Sequence, residues 1–310
     1  MIDIKTLTDY VKQERDSLIG KILVKFESGK LFNLQAGVKG PTAVTILNTD
    51  VNFSDGTSCD WDDTGISELT ERIIGAKPIK VDQSFCTATL KQTWLNYALK
   101  NPGQNHVELA FAEDFTNGVV DSNGAKLEKL VWQGDTASQD KNLNQIDGLV
   151  KIIEAAELAG TYEYAAGASA YETIMKVYSL IPSAVLSRKD AVIFCGKDMY
   201  RTFVQELIKQ NSAAAFSVYQ HMPEAEEDSE YVILPGTNVR VYGVAGLDNT
   251  GKVFGSYKDN FIYGTDLEND INEFRIVEST ENPDKLLMRI RFVAGVQVAQ
   301  PDMIVEAKEA

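Results

Sequence analysis

The sequence predicts an α+β protein built from two lobes. A chain of 310 residues favours two compact units over one simple layer. Apolar residues recur at helical spacing in residues 8–24, 87–99 and 105–132. Alternation with period two marks residues 42–83 and the last part of the chain. A polar stretch, residues 133–147, separates the two halves and predicts a hinge-like connector between lobes.

Composition and charge exclude several classes of protein. With 44 % apolar and 24 % charged residues, the chain has the composition of a soluble globular protein. Its net charge of −15 argues against a nucleic-acid reader, because phosphate backbones repel it. The N-terminal residues lack the regions of a secretory signal, and no apolar run approaches the roughly 18 residues of a membrane span. Cys59, Cys86 and Cys195 are widely spaced, which indicates reduced thiols rather than a disulfide framework.

Residues 42–83 form a long two-stranded excursion with little core of its own. Val44 and Ile46 alternate with small or polar residues. Pro78 restricts its strand to a sheet edge or an isolated ribbon, because proline cannot donate a ladder hydrogen bond. An isolated hairpin is marginal in water, and its open edges invite pairing. Two interpretations stay open: the excursion lies on a neighbouring molecule, or it packs on its own chain in a larger sheet.

The remaining elements follow from local patterns. Residues 105–132 predict one long helix, although glycine in its middle costs about 1 kcal/mol against alanine. After the connector, helices are predicted at 170–181 and 198–210, and strands at 191–195, 231–234, 238–244 and 252–257. A final strand pair, NEFRIVES and KLLMRIRFVAGVQVAQP, ends on a short charged tail.

No pattern in the sequence predicts catalysis, a cofactor or a metal. The two histidines, His106 and His221, are too few for a histidine-based triad or a zinc site. The stretch GASAY departs from a nucleophile elbow at Tyr171, where glycine is required. Acidic clusters at 60–63 and 266–273 could supply a hydrolase with paired acids. In so acidic a chain, solvated faces are the simpler interpretation.

Several short motifs follow one another along the chain, and their order is more specific than any one of them. DGTSCDWDDTG at 55–65 precedes ERIIGAKPIKVDQSFC, VWQGD ends the long helix, and DGLVKII at 147–153 opens the second half. Together with the closing GVQVAQPDMIV, this order resembles the major capsid proteins of tailed bacteriophages. These proteins share the Hong Kong-97 (HK97-type) capsid fold with encapsulin shells. The resemblance extends over nearly the whole chain.

The resemblance implies a division of the chain. The N-terminal arm would be residues 1–41, the extended loop 42–86, the peripheral domain 87–147 and 256–310 with a spine helix at about 105–132, and the axial domain 148–255. The connector would let the lobes meet at slightly different angles in pentamers and hexamers. The lysines of the extended loop have no recognisable asparagine and acid partners, so no covalent cross-link is predicted.

The function implied is a non-enzymatic coat protein. It would self-assemble as pentamers and hexamers into an icosahedral shell around double-stranded DNA, in the cytoplasm of a bacterial host. Partners would be other copies of itself and separate scaffold, portal and decoration proteins, with no membrane and no cofactor. An encapsulin-like compartment and an intracellular hydrolase are the alternatives.

Six residues are candidates for contacts between subunits. They are Phe53, Trp61, Arg72, Lys77, Trp132 and Asp135. We expect Trp61 to be the main anchor, because buried aromatic side chains dominate interface energies. Packing of Trp61 within its own loop is an equally weighted alternative.

Overall fold

Six helices and thirteen strands are distributed along the described part of the chain. The computed structural model describes residues 4–14, 17–18, 22, 26–50, 53, 57, 66–89, 92–93, 107–210, 231–266, 273–282 and 284–310. The helices are α1 (Ile4–Gln13), α2 (Val107–Gln133), α3 (Leu149–Glu154), α4 (Ala170–Leu180), α5 (Ser183–Leu186) and α6 (Lys197–Gln210). The strands are β1 (Asn33–Gln35), β2 (Thr42–Asp50), β3 (Ile66–Ile74), β4 (Lys77–Cys86), β5 (Gly160–Tyr164), β6 (Ala191–Gly196), β7 (Tyr231–Ile233), β8 (Arg240–Val244), β9 (Lys252–Tyr257), β10 (Phe261–Thr265), β11 (Glu273–Glu278), β12 (Lys285–Val298) and β13 (Val305–Glu309).

Within these ranges the strands form two sheets and a separate ribbon. The first sheet runs in the order β1-β10-β12-β11, and β4 also pairs with β12. The second sheet runs β5-β13-β9-β6-β8-β7, and the ribbon consists of β2 and β3. Helices and strands thus share the chain as predicted, and the class is α+β. No helix in the described ranges combines the length and hydropathy that crossing a membrane requires.

The predicted long helix is confirmed as α2. It runs without a break for 27 residues, with Gly118 and Gly124 inside it. The Thr116 hydroxyl donates to the Ala112 carbonyl (2.8 Å), so this buried polar group is satisfied by the helix's own backbone. The apolar stripe of α2, which includes Val120 and Leu127, is buried in the main core.

One main core joins the two sheets. Trp132 of α2, Phe194 of β6, Phe254 of β9 and Phe261 of β10 are fully buried. Ring centroids lie 5.6 Å apart for Trp132 and Phe194, and 5.2 Å apart for Phe194 and Phe261, which suits favourable aromatic pairs. A tilt of one lobe against the other would disturb this cluster. The adjustable joint between lobes stays a prediction.

The second sheet is covered by two helices on one face. Ile174 and Val177 of α4 and Phe203 and Leu207 of α6 pack into a second core with Ile193 of β6. Every residue of β6 is buried, which explains its almost wholly apolar sequence. The helices and strands predicted for residues 170–257 are confirmed, with ends that differ by at most two residues.

Strands β5, β10 and β13 are not predicted by the sequence pattern. In place of the expected charged tail, β13 lies between β5 and β9 in the second sheet, so residues 305–309 do not return to the first sheet. Its Glu306 is buried, and Lys252 of β9 donates to that carboxylate at 3.1 Å. This compensating charge is 54 positions away, so the local sequence gives no sign that the segment is a core strand.

The N-terminal segment packs on its own subunit wherever it is described. Leu7, Val11 and Leu18 are buried in the main core, and Leu34 of β1 pairs with Tyr263 of β10 in a parallel register. The segment predicted as an arm therefore contributes to the fold of the subunit itself. The helix predicted at 87–99 lies largely outside the described residues, of which 87–89 and 92–93 are helical.

Candidate functional site

The ribbon stands apart from both sheets. Its two strands pair over nine residues, from Thr42 with Ile74 to Asp50 with Ile66. Among the strands that the structure describes, neither β2 nor β3 pairs with any other. At 3.3 Å per residue, a strand of this length extends about 26 Å. The excursion predicted from the sequence is therefore real, but it is shorter than residues 42–83.

The root of the ribbon is the part held by the subunit. Ile74 is fully buried in a small apolar cluster with Val38, Ala76, Ile262 and Val293. The Gln297 side-chain amide donates to the Ile73 carbonyl at 2.7 Å. The following strand β4 pairs with β12 over its whole length, so residues 77–86 belong to the first sheet rather than to the excursion. Pro78 lies in this strand, which pairs on one side only, as the sequence predicts for an edge.

One face of the ribbon exposes apolar side chains. Leu69 and Ile73 of β3, which point to the same side, are 70 % and 61 % exposed. Phe53, beyond the end of β2, is fully exposed. Residues 42–71 also contain seven carboxylates and no Lys, Arg or His. Large exposed apolar groups on a projecting hairpin are typical of a surface that another molecule covers.

Solved structures with the same architecture exist, although no family model and no curated protein matches the sequence. A satellite phage P4 procapsid that includes the size determination protein aligns over 95 % of this chain and 90 % of its own, at TM-score 0.62 and 12 % identity. The capsid of Myoviridae phage XM1 aligns over 90 % of both chains, at TM-score 0.53 and 12 % identity. A virus-like particle from Pyrococcus furiosus aligns over 96 % and 99 %, at TM-score 0.52 and 10 % identity.

The chain has the HK97-type capsid fold. Nine-tenths or more of each chain is aligned in all three comparisons. The six residues that were predicted to contact neighbouring subunits lie in different environments.

Trp132 lies in the interior of the capsid fold and not at its surface. Its side chain is fully buried, and its indole N–H donates to the Ser28 hydroxyl at 2.7 Å. The Ser28 hydroxyl and backbone N–H both donate to the carboxylate of Glu128, at 2.5 and 3.0 Å. The prediction that Trp132 contacts a neighbouring subunit is therefore corrected: its indole has no free surface and joins the N-terminal segment to α2. The sequence does not predict the role of Glu128, because its partner Ser28 lies 100 positions away.

Asp135 belongs to a closed loop between α2 and α3. The Gly148 N–H donates to the Gly134 carbonyl at 2.8 Å, so the two ends of the loop touch. Lys151 of α3 bridges Asp135 at 2.6 Å and Asp147 at 2.7 Å. Burial opposes ionisation of Asp147, but hydrogen bonds from Lys151 and Thr136 outweigh it and lower its pKa to about 2. The hydrogen bond from Lys151 likewise lowers the pKa of Asp135. Asp135 thus fixes the loop, and about two-fifths of its side chain stays exposed.

Arg72 and Lys77 differ in their surroundings. Arg72 of β3 is half-buried and lines a cleft of about 510 Å³ between the ribbon root and α3, together with Lys151 and Asp302. Loss of hydration lowers the pKa of its guanidinium. Lys77, at the start of β4, is exposed. Both positions remain candidates for contact with a neighbouring copy.

The other sequence-based candidates fall mostly outside the described residues. Trp61, Cys59, both histidines and the acidic cluster 60–63 are among them, so their placement stays untested. Of the cluster at 266–273, Asp266 is buried and Glu273 pairs with Arg275 at 2.8 Å. In the part of the chain that the structure covers, no three His, Cys, Asp or Glu side chains converge as metal ligands would.

Proposed function

We propose that the protein is a major capsid protein that assembles as pentamers and hexamers into an icosahedral shell. The shell would enclose the double-stranded DNA of a tailed phage and would form in the host cytoplasm. The capsid fold supports a structural role. The main observation behind the proposal is that the ribbon projects from the subunit. It projects about 26 Å from its root with an apolar face that its own described chain leaves uncovered.

The ribbon suits a head-to-tail contact. Rings form when two different surfaces of each subunit meet, and a projecting hairpin supplies one of them. The subunit contributes the other surface from its body, so that the apolar side chains of one ribbon are buried on the next copy. Closed rings of this kind are the units from which an icosahedral shell is built.

Deletion of residues 54–65 tests this function. The variant should remain folded, because the contacts that hold the described part of the ribbon to the body lie at its root, at Ile74 and Ile73. It should fail to form closed shells in negative-stain electron microscopy, whereas the wild-type chain forms them. A variant with the same twelve positions replaced by glycine and serine controls for loop length. Shell formation by the deletion variant, or a wild-type chain that stays monomeric, would contradict the proposal.

A compartment of the encapsulin type is the second candidate. The alignment with the Pyrococcus furiosus virus-like particle, which covers 99 % of that chain, favours it. The content of particles purified from the producing cell separates the two: nuclease-resistant DNA supports the phage shell, and an enclosed enzyme supports the compartment. The hydrolase alternative has weaker support. It predicts an activity that is lost when Asp60, Asp62 and Asp63 are replaced by alanine.

A further inference from the structure

Residues 26–32, called the wedge from here on, contact both sheets of the subunit. The ring of Phe32 stacks on Phe261 of β10 with centroids 5.5 Å apart, and it meets Phe194 of β6 edge-on at 5.9 Å. Strand β10 belongs to the first sheet and β6 to the second. A single side chain from the N-terminal segment therefore packs against the lobes of both sheets, where aromatic pairs add to the burial of apolar area.

The other side chains of the wedge bind different parts of the subunit in turn. Phe26 packs edge-on against Tyr263 of β10, with ring centroids 4.7 Å apart. Glu27 forms an ion pair with Lys197 at the start of α6, on the lobe of the second sheet. Ser28 donates its two hydrogen bonds to α2. Three consecutive residues thus join the first sheet, the second lobe and the long helix.

Side chains hold the wedge more than its backbone does. The Gly29 N–H donates to the Phe26 carbonyl, and the Leu31 and Phe32 N–H groups both donate to the Ser28 carbonyl, so these bonds close within the wedge. All seven residues of the wedge are described, and none of them belongs to a strand. The following strand β1 pairs with β10 over three residues. The wedge can therefore leave its place without breaking a sheet.

The chain crosses between the two sheets at two neighbouring places. Residues 258–260 join β9 to β10, and residues 299–304 join β12 to β13. The crossings are bonded to each other, because the Gln300 N–H donates to the Asn260 side-chain oxygen at 2.6 Å and the Asn260 amide donates back to the Gln300 carbonyl at 2.8 Å. Hinges between lobes consist of a few such connecting residues, so the paired crossings form one pivot.

We propose that the wedge sets the angle between the two lobes. Seated against both sheets, it holds one angle; displaced from them, it lets the lobes turn about the crossings at 258–260 and 299–304. Control of the joint thus lies with the N-terminal segment and not with the polar connector 133–147. The use of this adjustment in pentamers and hexamers rests on the proposed function, whereas the wedge itself is a property of the single subunit.

Gly29→Ala displaces the wedge without altering either sheet. A Cβ on Gly29 would lie 2.3 Å from Cζ of Phe26, whose side chain is only 1 % exposed. The ring must therefore give up its place against Tyr263 to make room for the methyl group. Gly40→Ala is the matched control, because a Cβ there meets nothing within 4 Å.

The distance between the lobes is measured by double electron–electron resonance on unassembled, full-length subunits. Spin labels are attached through Glu278→Cys in β11 and Lys176→Cys in α4, which are both exposed positions. Cys59→Ser and Cys86→Ser restrict labelling to these positions, since Cys195 is fully buried.

The labelled parent chain should give one narrow distance distribution. Gly29→Ala should shift or broaden it by about 2 Å or more, the size of a lobe rearrangement, and Gly40→Ala should leave it unchanged. A broad distribution in the parent chain, or an unchanged one in a folded Gly29→Ala variant, would overturn the proposal.

A charge exchange gives a second test if Gly29→Ala fails to fold. Lys197→Glu places two acids together at the wedge and should broaden the distribution, and adding Glu27→Lys should restore the narrow one. Failure of the exchange to restore it, or no effect of Lys197→Glu, would refute the role of the wedge. Because the distances belong to unassembled subunits, these outcomes hold whether or not the chain forms shells.

Discussion

Glu128 shows how one side chain can connect distant parts of the chain. It lies in α2 with only 3 % of its surface exposed, and it accepts two hydrogen bonds from Ser28 and one from Trp132. Burial raises the pKa of its carboxyl group, and the hydrogen bonds only partly offset this. The contact fixes the segment before β1 against the helix, so the stability of that junction depends on the ionisation of one acid.

Replacing Glu128 by glutamine should reveal this dependence. An acid with a raised folded pKa loses stability as the pH climbs from its unfolded value of about 4.5 through its folded value. The melting temperature of the wild type relative to Glu128→Gln should therefore fall as the pH climbs above about 4.5, and level off once the pH has passed the raised pKa of the folded carboxyl group. Thermal unfolding followed by circular dichroism measures it, with Glu113→Gln, an exposed position of α2, as control. A pH-independent difference would contradict the assignment.

At the scale of single elements, the loop between α2 and α3 depends on a close approach of its two ends. A Cβ on Gly148 would lie 2.5 Å from the Gly134 nitrogen and 2.6 Å from the Trp132 carbonyl oxygen. Only glycine permits this approach, so two glycines close the loop and the ion pairs of Lys151 fasten it. The polar sequence that resembles a linker is an ordered closure between two helices of the same core.

Gly148→Ala should destabilise the subunit by about 1–3 kcal/mol, because backbone on both sides must move to accept the methyl group. Urea unfolding of the unassembled subunit measures the change in the free energy of unfolding. Gly118→Ala in α2 is the matched control. A Cβ there meets nothing within 4 Å, so that variant should gain up to about 1 kcal/mol. Equal effects of the two substitutions would refute the close approach.

Local patterns predict the elements whose own residues carry a clear apolar pattern. The stripe of α2 and the apolar run of β6 were both recognised from the sequence. The pairing of β4 with β12 and the burial of Glu306 were not, because each depends on a partner far along the chain. At the candidate site, the sequence predicts that the excursion exists and that Pro78 lies in an edge strand or an isolated ribbon, of which the structure shows the edge strand. It does not reveal that Trp132 is satisfied internally, since Ser28 and Glu128 come from separate elements.

At the scale of the whole molecule, the subunit consists of a body with a shared core and a projecting ribbon with exposed apolar side chains. The body shares one aromatic core between its sheets, whereas the ribbon is anchored at one end and presents Leu69 and Ile73 to solvent. Burying side chains of this size contributes about 1.5–3 kcal/mol each when they leave water completely. Assembly can recover this contribution, which the isolated subunit lacks.

Leu69→Ser/Ile73→Ser should therefore separate folding from assembly. The melting temperature of the subunit should change little, since substitutions at exposed positions stay within about 0.5 kcal/mol. The protein concentration needed to form shells should rise at least tenfold, as measured by light scattering. Thr70→Ser, also exposed but on the opposite face of β3, should alter neither quantity. A large drop in melting temperature would show that the two apolar side chains are buried in their own subunit.

The position of β13 between β5 and β9 has a consequence for synthesis. Gly160 pairs with Val305, so β5 leaves the ribosome about 145 residues before its partner strand. At roughly 5–20 residues per second, this delay is on the order of 10–30 s. Strand β9 follows β5 by about 90 residues, so the edges of β5 and β9 are both open in the last part of that interval. We expect a nascent chain on a polysome to need chaperone protection until the missing strand arrives.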